Sequence, residues 1–105
     1  MARIPNEIID VVRIFRRNIE SLLSVKRVFI FGSFAKGNFT EHSDIDVCVI
    51  AGNVDNNFLA ELKIAPTILM SDVRIEPVVF SEEEYLEADT FGLLKEVKEN
   101  GIEIT

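Results

Sequence analysis

Between Pro5 and about Ser24 the apolar residues Ile8, Val11, Val12, Phe15, Ile19, Leu22 and Leu23 recur at steps of three and four, with Arg13, Arg16, Arg17 and Glu20 mostly off that stripe. This spacing predicts an amphipathic helix. Pro5 suits its first turn, and the arginines read as a solvated face rather than as a contact for an acidic partner or a phosphate. Val28-Phe29-Ile30-Phe31 is a continuous apolar run that stops at Gly32-Ser33, the pattern of a buried strand ended by a tight turn. A short helix through Phe34, Ala35 and Lys36 follows, and Asp44 to Ile50 reads as a second strand from its β-branched content.

After the turn-rich loop Gly52 to Asn57, a helix carries Phe58, Leu59, Leu62 and Ile64, and Pro66 either ends it near Ala65 or bends it there, in which case Ile68 and Leu69 belong to it as well. Val73 to Phe80 is predicted as a third strand, placed at an edge by Pro77. Ser81-Glu82-Glu83-Glu84 matches a capping box, so these acids read as a helix terminus rather than a metal cluster. Thr90 opens a last helix through Leu93, Leu94 and Val97, Asn100-Gly101 stops it, and Ile102 to Ile104 forms a short extended tail. The order of elements fits a single α/β domain over residues 1–105, a small mixed sheet packed with helices and with the second strand central.

Composition narrows the function. A chain of 105 residues is long enough for one core but not for a catalytic domain plus a separate substrate domain, so a second substrate is expected on a partner. With 48% hydrophobic residues and a net charge of −7, it lacks the basic stripe that tracks a nucleic-acid backbone, which argues against a free-standing polymerase. The lone Cys48 permits no intrachain disulfide and suits a reducing cytoplasm, and no apolar stretch approaches the roughly 20 residues that span a bilayer.

The chemistry concentrates between Phe31 and Ile50. Gly32 lets the backbone approach a ligand closely, while Ser33 caps the short helix and points amides and a hydroxyl at an anion such as a triphosphate. Asp44 and Asp46 stand two apart on a strand and therefore share a face, an oxygen-rich pair that suits Mg²⁺. Ile45, Val47 and Val49 point the other way into a core. His42, in the polar loop Asn38 to Ser43, reads as a solvated side chain, and Ser43 as an organiser of the strand entry.

Gly32-Ser33, ten intervening residues and then Asp44-Ile45-Asp46 resemble the signature of the DNA polymerase β-like nucleotidyltransferase superfamily, and the short chain resembles its minimal nucleotidyltransferase branch. The resemblance implies two Mg²⁺ ions and ATP or another nucleoside triphosphate as substrate, with Asp44 and Asp46 as ligands of both ions. It also implies a third acid on the following strand, a role that falls to Glu76, and β and γ phosphates held by Gly32 and Ser33. Lys36 occupies a position that is often arginine, so its charge persists without bidentate contact.

By the same resemblance, the acceptor is expected on a small helical HEPN-type partner, in a toxin–antitoxin arrangement, with transfer of AMP to a protein hydroxyl. A nucleotide-binding module that neutralises its partner by contact alone is the competing reading, and the intact acid set disfavours it. Transfer to a small molecule is the third reading, and the chain is too short for the extra domain such enzymes use. Homo- or hetero-oligomerisation stays open.

Overall fold

The computed structural model describes residues 4–87 and 91–105. The first helix, α1 (Asn6–Ile19), begins on the Pro5 carbonyl, which accepts from the amides of Ile8 and Ile9, and buries Ile8, Val12, Phe15 and Ile19. It ends earlier than the apolar spacing predicts. The amides of Leu22 and Leu23 fold back onto the Ile19 carbonyl at 2.9 and 3.0 Å, and both side chains still reach the core from this turn. Periodicity alone does not distinguish a helical turn from a tight turn that keeps the same side packed. Nor are the arginines simply solvated: Arg13 Nε and Arg16 Nη1 donate to the carbonyls of Thr105 and Ile104, fixing the C-terminal tail across α1.

Strand β1 (Ser24–Phe31) starts four residues before its apolar run, because Ser24, Lys26 and Arg27 form an exposed half that hydrophobicity does not signal. It pairs antiparallel with β2 (Ile45–Gly52), which pairs parallel with β3 (Ile75–Ser81). The two-residue β4 (Ile102–Glu103) lies antiparallel on the other side of β1, giving the order β3-β2-β1-β4. This is the expected small mixed α/β sheet, with β2 in its interior and β3, carrying Pro77, at an edge.

Alternation along β2 divides the interior in two. Ile45, Val47, Val49 and Ala51 pack with α1 and with α3 (Asn57–Ser71), while Cys48 and Ile50 pack with Phe29, Phe31, Leu94 and Val97 on the opposite face. Helix α3 opens on Asn56, whose side chain accepts from the Leu59 amide, and continues through Pro66 to Ser71. The proline does not end it near Ala65: the helix runs on through Pro66, which is exposed, to Ser71.

The outward amides of β3 are all accounted for. Ile75 donates to the Asp72 carbonyl, Pro77 has no donor, Val79 donates to Glu61 Oε2 at 3.0 Å, and Ser81 donates to Glu84 Oε1 at 2.9 Å. The last bond belongs to the expected capping box, which opens α4 (Glu82–Leu86). Helix α5 (Gly92–Asn100) has Phe91 at its N-cap position, and the expected opener Thr90 lies outside the described residues. No helix among the described residues is long and apolar enough to cross a membrane.

Candidate active site

Beyond Phe31 the backbone turns at Gly32, with φ 71° and ψ −144°, into the single-turn helix α2 (Ser33–Lys36), closed by Gly37 in the left-handed region. The Gly32 conformation is essentially restricted to glycine. A second constraint is tighter: a Cβ at Gly32 would collide with Asp46 Oδ2. The carboxylate of the second strand therefore lies directly against the backbone of the turn, so the anion cradle and one acid of the pair meet at one place. Phe34 and Ala35 are buried, and Phe34 stacks on Phe39 with ring centroids 4.6 Å apart, which ties α2 to the loop that follows. In that loop Ser43 Oγ accepts from the Thr40 amide just before β2, and His42 is exposed beside Glu41.

Register supplies the third acid. Asp46 is opposite Phe31 on one side and Glu76 on the other, and in-register neighbours project from the same sheet face. Asp44 precedes β2 by one residue, exposed, while Asp46 is half-buried and Glu76 exposed. The three carboxyls share one field. Burial, then the charges of Asp44 and Glu96, push Asp46 above the ordinary carboxylate range. Glu76 is pushed the same way by the Asp44 charge first, then burial, then Asp46, and by a hydrogen bond with Asp44.

Mutual repulsion of this kind calls for a cation, and the donors are hard oxygens. Among the described residues, however, no three His, Cys, Asp or Glu side chains close onto one point. An open set fits Mg²⁺, which is ordinarily held by one or two carboxylates together with substrate phosphates rather than by an all-protein cage. Two hollows of about 360 and 370 Å³ are lined by Ser24, Lys26 and Glu82, and by Pro5, Phe34 and Arg74, and include none of the three acids.

Sequence reasoning missed Glu96. From α5 its Oε1 meets Lys36 Nζ at 2.7 Å, so the lysine at the end of α2 is engaged by a carboxylate, and the same Glu96 charge adds to the field on Asp46. No spacing linked a residue of the last helix to the glycine turn; the heptad-like placement of Leu94 and Val97 against the Phe31 face is the only sequence signal that brings α5 here. Glu96→Gln is expected to lower the Asp46 pKa toward the ordinary value, since it removes a like charge and frees a positive one. Carboxyl carbon shifts followed against pH would show it, and an unchanged Asp46 titration would contradict it.

The chain belongs to the nucleotidyltransferase family: the nucleotidyltransferase domain model matches residues 12–104. The chain is similar to two proteins of Methanocaldococcus jannaschii, each named "Putative protein adenylyltransferase". One is 31% identical, covering 93% of this chain and 99% of that protein, and the other is 34% identical, covering 73% and 75%. In fold it resembles a Sulfolobus solfataricus protein described as a "putative nucleotidyltransferase", with a TM-score of 0.70 at 19% identity over 93% of this chain and 79% of that one. It also resembles a chain of a toxin–antitoxin structure with AMP-PNP, with a TM-score of 0.61 at 20% identity over 93% and 72%. At these identities the two solved structures establish the fold alone.

Proposed function

We propose that this nucleotidyltransferase moves AMP from ATP to a hydroxyl of a partner protein, with Mg²⁺ bound by Asp44, Asp46 and Glu76. The observation that carries the reading is the contact of Asp46 with the Gly32 backbone, because a phosphate seated on the turn is then beside the acids. The relatives' names support the protein acceptor, and the toxin–antitoxin neighbours support a partner of that kind, here a small helical HEPN-type protein.

In this reaction the acceptor oxygen forms a bond to the α-phosphorus while the bond from that phosphorus to the β-phosphate bridging oxygen breaks, and pyrophosphate leaves. Gly32 permits the close approach of the β and γ phosphates, and Ser33 with the first amides of α2 donates to them. Asp44 and Asp46 would hold the metal, with Glu76 completing the set. Mg²⁺, when bound, neutralises phosphate charge and aligns the attacking and leaving oxygens. Glu76, in register with Asp46 on the neighbouring strand, accepts the proton of the acceptor hydroxyl. Lys36 is close enough in sequence to the turn to contribute charge once it exchanges Glu96 for phosphate.

Purified protein incubated with α-labelled ATP and Mg²⁺, with and without a candidate small helical partner from its own genome, tests the proposal. Label is expected on the partner only when both proteins and the metal are present. Tight association with no label under any divalent metal or nucleotide would overturn the enzymatic reading and leave inhibition by contact.

A further inference from the structure

Helix α3 is apolar on both sides. Its inner face buries Ala60, Ile64 and Thr67. On its outer face Phe58, Leu62, Pro66 and Leu69 follow one another at steps of three and four, flanked by Leu59 and Met70. The exposures are those of unpacked side chains: 64% for Phe58, 61% for Leu59, 53% for Leu62, 79% for Leu69 and 75% for Met70. A surface helix normally turns polar residues to water, and one that is hydrophobic all round is normally covered. These five side chains expose on the order of 600 Å², the upper end of what a monomer shows as its largest patch and close to the roughly 800 Å² that each partner contributes to a standard interface.

We propose that two copies of this chain associate through the outer face of α3, in a two-fold helix-to-helix contact. Charge selects this occupant. The chain carries a net charge of −7, so most of its surfaces repel a second copy. The α3 face is different: Lys63 is the only charged residue among its exposed positions, and the one carboxylate of the helix, Glu61, is turned to the Val79 amide. A basic partner drawn by the acidic chain would find no acid here, whereas two copies meet without opposing carboxylates. A stripe repeated along a helix of 15 residues is also self-complementary under a two-fold axis, which places each apolar residue against the same set on the other copy. The contact leaves the active site free, because α3 packs on the sheet face opposite the one that carries Asp46 and Glu76.

The test is sedimentation equilibrium of the full chain from micromolar to near-millimolar concentration. Wild type is expected to reach twice the 11.9 kDa chain mass. Leu62→Glu combined with Leu69→Glu is expected to raise the dissociation constant at least about 100-fold, since both side chains sit at the centre of the contact. Both positions are exposed, so far-ultraviolet circular dichroism of the variant should match wild type. Leu59→Gln with Met70→Gln provides an uncharged second disruption and should weaken the dimer in the same direction. A wild type that stays monomeric throughout the range, or a dimer equally strong in both variants, would overturn the proposal and leave the face to a different protein.

Discussion

Asp46→Asn is expected to reduce nucleotidyl transfer roughly 10³-fold, the scale seen when one group that stabilises developing charge is removed, and at the same time to raise the melting temperature of the metal-free protein. The two effects share one cause. Asp46 is pressed against Gly32, half-buried, and surrounded by the charges of Asp44 and Glu96. Its pKa in the folded state is raised, so ionisation costs stability at every pH above that raised value, and the cost disappears once pH falls below the unfolded carboxylate range. An amide of the same shape avoids the cost. The melting difference between Asp46→Asn and wild type should therefore be largest near neutrality, begin to shrink as pH falls through the raised pKa and vanish below the unfolded carboxylate range. Mg²⁺ titrated into wild type should raise its melting temperature and should do far less for the variant. A variant less stable than wild type at pH 7 would show that Asp46 is held by favourable contacts instead of tolerated against repulsion.

Gly32→Ala should be the most damaging single methyl in the chain. The φ of 71° with ψ of −144° is a region that side chains strongly disfavour, and the added Cβ meets Asp46 Oδ2. Strain and collision each cost about 1–3 kcal/mol, so a loss of about 3 kcal/mol is expected, a fall in melting temperature on the order of 15 °C for a chain of this length. Relief comes only by moving the Asp46 carboxylate or the turn, and either separates the acid from the phosphate cradle. Transfer activity should be lost even at temperatures where the variant remains folded. A folded variant that keeps wild-type activity would mean that the contact between turn and acid has no part in catalysis.

Much of this site was legible because its residues are close in sequence and chemically unusual. Phe31-Gly32-Ser33 and Asp44-Ile45-Asp46 announce a strand, a turn and a second strand with acids on one side, and Pro77 announced the edge that β3 occupies. Ser81 and Glu84 form the capping box that their spacing predicts. The misreadings occurred where pattern is not conformation. Leu22 and Leu23 continue the helical spacing from a turn, Lys26 and Arg27 conceal half of β1, and of the two outcomes open at Pro66 the helix does not take the early end. Glu96 was invisible for a different reason, since its partner Lys36 is 60 residues away and nothing local ties the two.

The occupied donors of β3 restrict how this protein can meet others. Strand addition, by which a neighbour's extended segment extends a sheet, needs a row of free main-chain amides. Here Asp72, Glu61 and Glu84 have taken those amides and Pro77 offers none, while on the other side of the sheet β4 covers only Phe29 and Ile30 of β1. At the β3 edge, recognition by main-chain pairing, with the loose sequence selectivity that such pairing allows, is disfavoured. A companion that meets this edge is read through side chains, so its identity there is written in surface residues that can change without disturbing the sheet.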